Sequence, residues 1–177
     1  MKTLTYSFSN SKNGLTGFKL TVISITFAIL SGCAGTSDIK PEPIKPRPIA
    51  KQSNNAPVVD YALQFQGAPY SYGNASPEKG FDCSGFVKYV YDQNGVHLPR
   101  TVKEMAAALT PVPNDKIHSG DLVFFNTSGE SVSHVGIYTN GNNFIHAPSS
   151  RAGKVMVSSL KNNYWRERFV DARRPQK

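Results

Sequence analysis

Cysteine is scarce in this chain: only Cys33 and Cys83 occur among 177 residues. That count excludes a disulfide-rich scaffold, whose framework needs several pairs. Acidic residues are missing before Asp38, and the main apolar run, Leu20 to Leu30, is short. A membrane-spanning helix needs about 20 apolar residues, so the run is too short for an ordinary span. No internal repeat is visible, which argues against a solenoid, and no HExxH motif is present, which removes the commonest zinc-peptidase signature.

What the front of the chain does have is Lys2, Lys12 and Lys19, then the apolar run, then Leu30-Ser31-Gly32-Cys33. A charged region, an apolar stretch of about a dozen residues and small residues at its end form an export signal; an uncleaved N-terminal anchor is the alternative. Leu-Ser-Gly-Cys resembles the lipobox of bacterial lipoproteins. That resemblance implies a signal peptide over 1–32, lipid on the sulfur of Cys33 and anchoring to a membrane surface rather than spanning. Ala34, with no aspartate beside the lipidated cysteine, implies the periplasmic face of a Gram-negative outer membrane. With Cys33 lipidated, Cys83 is left unpaired in an oxidising compartment, where a free thiol is a candidate reactive group.

From Ala34 to Ala56 the composition shifts to Pro, Lys, Ser and Asn, with Pro41, Pro43, Pro46 and Pro48 closely spaced. Such a segment buries no core and reads as a semi-rigid tether over 33–56, ahead of a folded domain over 57–177. Net charge is +8; removing Lys2, Lys12 and Lys19 leaves 17 basic against 12 acidic residues, or +5. A mildly basic exported domain suits an anionic polymer or membrane face, and nucleic acid is not expected as a partner.

In the folded part, Pro57 to Gln66 reads as a short amphipathic helix stopped by Gly67. Tyr70 and Tyr72 alternate with Ser71 and are expected to share a face. Apolar residues at Phe86, Val87 and Val90 recur at helical spacing until Asn94-Gly95, so Cys83 falls in the first turn of a helix. There the unpaired backbone N–H groups favour the thiolate, while the Asp82 carboxylate opposes it, so a partner base is needed. Thr101 and Glu104 form a capping box that starts another helix, running to about Leu109 with Met105 and Ala106 inward. Strands are expected over 120–126, 133–139, 143–147, 154–158 and 169–173, with Asn140-Gly141 as a hairpin signal. Helices followed by an antiparallel sheet of about five strands make an α+β domain.

His134 opens one strand and His146 lies near the end of the next. With a three-residue loop, Asn140 to Asn142, His146 falls opposite Gly136 and one diagonal step from His134, within reach of two imidazoles. The absent side chain at Gly136 leaves room for them. A thiol becomes nucleophilic when an imidazole takes its proton, and the base works best when a third polar group orients it. Cys83, His134 and His146 can fill those roles. The same three residues could form part of a zinc site, although no further cysteine accompanies them. His97 and His118 read as surface residues.

Phe81-Asp82-Cys83-Ser84-Gly85-Phe86-Val87, Leu98-Pro99-Arg100-Thr101, Gly120-Asp121-Leu122-Val123-Phe124-Phe125, His134-Val135-Gly136-Ile137-Tyr138 and Phe144-Ile145-His146-Ala147 together resemble the NlpC/P60 family of cell-wall cysteine peptidases. The resemblance runs from about Pro57 to Arg174, and lipoprotein members similar to Gram-negative murein endopeptidases share this layout. It implies a papain-like core with Cys83 as nucleophile, His134 as base and His146 as orienting residue. It also implies Tyr70 at the oxyanion and Asp82 and Ser84 against the stem peptide of peptidoglycan, with no metal or other cofactor and action as a monomer. Gly73-Asn74, where many members have two glycines, and a longer loop to Cys83 depart from the family pattern. A catalytically idle wall-binding lipoprotein, or an amidase or acyltransferase using the same triad, are the other readings, since fold and triad do not fix the bond attacked.

Overall fold

The computed structural model describes residues 55–129 and 131–176. The expected signal peptide, Cys33 and all of the tether but Asn55 and Ala56 lie outside the described residues. Among those described, no helix is long and apolar enough to cross a membrane.

Helix α1 (Pro57–Leu63) begins with proline at its first position, where the missing N–H costs nothing, and buries Val59 and Ala62. Two short strands follow, β1 (Ala75–Ser76) and β2 (Gly80–Phe81), paired antiparallel. They close the segment expected to be a long loop into a small hairpin. Helix α2 (Cys83–Asp92) starts directly after it, and α3 (Val102–Ala108) starts at Thr101 with the capping box in place. Met105 and Ala106 are buried as the spacing requires.

The main sheet is built from β3 (Thr110–Val112), β4 (Leu122–Phe125), β5 (His134–Tyr138), β6 (Asn143–His146), β7 (Met156–Ser159) and β8 (Phe169–Arg174). Its order is β3-β8-β4-β5-β6-β7, with every neighbouring pair antiparallel. The architecture is α+β, as expected, with six strands in this sheet rather than five. The added strand carries Pro111 at its centre and pairs only with β8. Proline withholds a ladder donor, so such a strand survives at a sheet edge and leaves little pattern in the sequence. Helix α4 (Asn163–Arg168) was also not expected; six residues are too few to show a 3.6-residue period, and its start is fixed by the Asn162 side chain accepting from the Tyr164 N–H.

Alternation along the strands sorts the core onto two faces. Leu122, Phe124, Val135, Ile137 and Ile145 pack under α1 to α3 with Phe65, Phe81 and Phe86. Val123, Phe125, Phe144 and Ala172 face the other way, beneath Trp165 and Phe169. On the helical side Phe65, Phe81 and Phe86 meet edge-on at 5.8 and 5.6 Å. On the other, Phe125 meets Phe144 and Trp165 at 4.9 Å each. Each such ring pair adds about 0.5–1.5 kcal/mol beyond the area it buries. The C-terminal strand is fastened by Arg174, whose Nε donates to Asp121 Oδ1 at 2.7 Å.

Candidate active site

Phe81 and Phe86, both fully buried, hold the ends of Asp82-Cys83-Ser84-Gly85 and so fix where α2 begins. Asp82 is the N-cap: its Oδ1 accepts from the Gly85 N–H at 2.6 Å, and its Oδ2 accepts from the Gly73 N–H at 2.9 Å. The Asp82 N–H donates in turn to the Asn74 carbonyl at 3.0 Å. A Cβ on Gly85 would lie 2.2 Å from that carbonyl oxygen, so glycine is required for the 73–75 segment to lie on the first turn of α2. The wall that departs from the family pattern at Gly73-Asn74 is therefore tied to the helix start by one backbone bond and by the Asp82 carboxylate.

Cys83 is the first residue of α2, is half-buried, and is a free thiol. Its Sγ faces the backbone N–H groups of Ser84 and Val135, which bias it toward thiolate. Burial, followed by the Asp82 charge, outweighs them and pushes the thiol up to about 11. The opposing pull of Asp82 was expected from sequence; the cation that tempers it was not. Arg100 forks onto the carboxylate, Nη2 to Oδ2 at 2.6 Å and Nη1 to Oδ1 at 3.0 Å, and Nη1 also donates to Ser84 Oγ at 2.8 Å. Asp82 and Ser84 are buried and spend these side-chain contacts on Arg100, whose side chain remains about 36% exposed. Arg100 stands just before the Thr101 N-cap, where a basic residue opposes the helix dipole; that misfit is the sequence signal for a role elsewhere.

The histidines lie as the register argument required. Ile137 pairs with Ile145 and Tyr138 with Phe144, which places His146 opposite Gly136. The turn is the three-residue Asn140–Asn142, with positive φ at Gly141 and Asn142. A Cβ on Gly136 would come within 2.6 Å of the Phe144 ring and 3.2 Å of His146 Cβ, so only glycine leaves the imidazoles their place. His134 Nε2 and His146 Nδ1 are 2.7 Å apart, and His146 Nε2 is 2.9 Å from Ser158 Oγ. Two nitrogens bound to one zinc ion stand about 3.3 Å apart, given Zn–N bonds of ~2.05 Å, so this contact is a hydrogen bond and not a chelating pair.

Both rings are buried on the sheet face that carries Trp165, whose ring lies 5.2 Å from His134 and 4.8 Å from His146. Burial pushes His134 down to about 4, and burial together with the neighbouring His134 holds His146 well below the ordinary imidazole range. Trp165 and Ser158 carry no signal in the sequence: one follows Tyr164 in a short polar stretch, the other is a serine in a strand, and neither position belongs to a pattern.

Tyr70 is half-buried against the helical core; its backbone bridges Phe81, and its hydroxyl is pushed up by burial and then by Cys83 and Asp82. Tyr72 does not share that face. The chain turns after Ser71, with Asn74 N–H bonded to the Ser71 carbonyl, and leaves Tyr72 88% exposed. His97 and His118 lie at the surface, His97 beside Asp92 at 3.0 Å. The structure thus gathers Tyr70, Asp82, Cys83 and Ser84 around the start of α2. His134 and His146 share the opposite face of the sheet, where β5 begins beside the thiol.

Residues 67–174 match the NlpC/P60 family. The chain belongs to the NlpC/P60 family. It is 40% identical over 159 residues to the probable endopeptidase NlpC of Escherichia coli, covering 86% of this chain and 97% of that one. It is 41% identical over 117 residues to the murein DD-endopeptidase MepH of the same organism, covering 63% of this chain and 42% of that one. The crystal structure of an NlpC/P60 family protein from Bacillus cereus superposes with a TM-score of 0.64 at 30% identity, covering 68% of this chain and 39% of that one. The chain therefore spans nearly the whole of one endopeptidase relative and less than half the length of the other two proteins.

Proposed function

We propose that this NlpC/P60 protein is a peptidoglycan endopeptidase acting through Cys83, His134 and His146. The observation that carries the reading is the 2.7 Å bond between His134 Nε2 and His146 Nδ1. It occupies one nitrogen of His134 and leaves Nδ1 as the site for a proton, in a strand whose next residue, Val135, faces the Cys83 sulfur. The endopeptidase names of the two relatives support the same reaction class.

In the proposed reaction the Cys83 proton passes to His134 Nδ1 as Sγ bonds to the carbonyl carbon of a stem-peptide or cross-link amide. The oxyanion faces the Cys83 N–H at the start of α2 and the Tyr70 hydroxyl. The C–N bond breaks as His134 returns the proton to the leaving amine, which yields a thioester. Water, losing a proton to His134, then attacks the thioester; a carboxylate product leaves and the thiol is restored. Thiol and imidazole together carry no net charge, and neither does the thiolate–imidazolium pair, so the step adds no net charge to a buried site. Asp82 and Ser84 serve the substrate side by holding Arg100 at the rim beside Tyr72. The lipid on Cys33 and the proline-rich tether place the domain in the cell envelope, anchored to the periplasmic face of the outer membrane.

Full-length protein purified from membranes and incubated with muropeptides is expected to release fragments that mass spectrometry assigns to one amide bond, γ-D-glutamyl to diaminopimelate or D-alanine to diaminopimelate. Intact mass of the same preparation should show lipid on Cys33. No cleavage by protein with a titratable Cys83 thiol, or transfer of acyl groups without hydrolysis, would overturn the proposal.

A further inference from the structure

The proposed base works only in one of its two neutral tautomers, and the bonds between the rings link that choice to a residue two strands away. Between His134 Nε2 and His146 Nδ1 there is room for one proton. If it sits on His134 Nε2, then His134 Nδ1 is bare and can accept the thiol proton, and His146 must carry its own proton on Nε2. If it sits on His146 Nδ1, then His134 carries its proton on Nδ1 and has no lone pair to offer. The thiolate–imidazolium state selects between them as well: an imidazolium at His134 donates from Nε2, and a second proton on His146 Nδ1 would oppose it.

The productive arrangement thus needs an acceptor for the His146 Nε2–H, because a buried donor left unpaired is costly. Ser158 Oγ lies 2.9 Å from that nitrogen. Sheet register puts it there: His146 pairs with Met156 and Phe144 with Ser158, so Ser158 shares the His146 face one diagonal step away. The step from His134 to His146 is the same diagonal across β5 and β6. His134, His146 and Ser158 form one hydrogen-bonded row across three neighbouring strands. Ser158 is half-buried on the edge strand β7, so its own O–H can turn outward while its lone pair faces the ring.

We propose that Ser158 is a positioning residue of this site, accepting the His146 Nε2–H and thereby holding His134 in the tautomer with a bare Nδ1. Without the hydroxyl, His146 moves its proton to Nδ1, where His134 accepts it, and the base is lost from most molecules. The inference rests on the catalytic reading above for its effect on turnover, but the tautomer state is measurable independently of it.

The test uses the full chain labelled with 15N at histidine and its Ser158→Ala, Ser158→Thr and Ser158→Val variants, assayed on muropeptides and by the NMR signals of the ring nitrogens. Wild type and Ser158→Thr should show both rings protonated at Nε2. Ser158→Ala and Ser158→Val should show both shifted to Nδ1–H, with kcat/KM down by about 10- to 100-fold, the size expected for one buried donor left without a partner. Threonine and valine have the same shape, so loss in valine with rescue in threonine assigns the effect to the hydroxyl even if the alanine variant fails to fold. Unchanged tautomers in Ser158→Val, or equal kcat/KM for the threonine and valine variants, would overturn the role of Ser158. Full activity of Cys83→Ala would instead overturn the catalytic reading, leaving the tautomer measurement to decide the Ser158 proposal by itself.

Discussion

The Cys83 side and the His134 side of this site, the proposed nucleophile and the proposed base, are built on opposite electrostatic plans. Around Cys83 stand formal charges: a buried carboxylate at Asp82, answered by an Arg100 guanidinium that is partly in water. Around His134 and His146 the partners are each other, a serine hydroxyl and the Trp165 ring, and among the described residues no carboxylate is bonded to either histidine. A charge beside a thiol moves its proton affinity in one direction, so a site that places an anion there needs a cation to limit the effect. A neutral row orients an imidazole without making it a strong base. The first plan adjusts a thiol proton affinity that burial has already raised, and in the proposed mechanism the second selects which nitrogen receives the proton.

The largest effects are expected when one member is removed from either side. Cys83→Ala and His134→Ala should each lower muropeptide hydrolysis by at least about a thousandfold, since neither the bond-forming atom nor the proton acceptor has a substitute. His146→Ala should leave weak activity, because an orienting group acts through geometry. Circular dichroism and thermal melts should show all three folded. Retention of wild-type rates by Cys83→Ala would end the proposed mechanism.

Acid sharpens the contrast next. His134 is near 4 in the fold and near 6.5 unfolded, so the folded state binds fewer protons in that range. Stability is then fully present above about pH 6.5 and falls as pH drops toward 4, by roughly 3 kcal/mol from this group, with His146 adding in the same direction. Urea unfolding at pH 7 and pH 4 reads this difference. Trp165→Ala should expose the rings to water, move both histidines back toward 6.5 and shrink the difference; an unchanged difference would show that Trp165 does not keep water from the pair.

The smallest expected effect lies on the nucleophile side. Asp82→Asn keeps a good N-cap residue but removes the anion, and should speed alkylation of Cys83 by iodoacetamide at pH 8. Arg100→Met should slow it, because Asp82 is left uncompensated beside the thiol. Each change is expected at about three- to tenfold, modest because the guanidinium is partly exposed and water screens it. Movement of both variants in the same direction would show that the Asp82–Arg100 pair acts on Cys83 through structure rather than through charge.

The sequence is most legible where its signal is local or strictly periodic. Thr101 and Glu104 are one turn apart, and the capping box they announce is present. The parity of a three-residue turn placed His146 opposite Gly136, because the side-chain period of a strand is two and allows no half steps. The edge strand β3, the hairpin of β1 and β2, and helix α4 escaped because two, three or six residues are too few to establish a period.

Local rules along the chain laid out the elements and the chemistry on them: Cys83 opening a helix, two imidazoles brought diagonal by a hairpin, and a glycine between them. Composition, capping and alternation act over a few residues, so they can be read without knowing what lies across the molecule. The partners that tune this chemistry arrive only on folding. Arg100 meets Asp82 and Ser84 because α3 begins beside α2, Trp165 covers the imidazoles because α4 folds back over the sheet, and Ser158 reaches His146 because β7 adds at the edge. Those contacts join residues 12 or more positions apart, beyond the reach of capping and alternation, and they form only when burying both faces of the sheet brings the segments together.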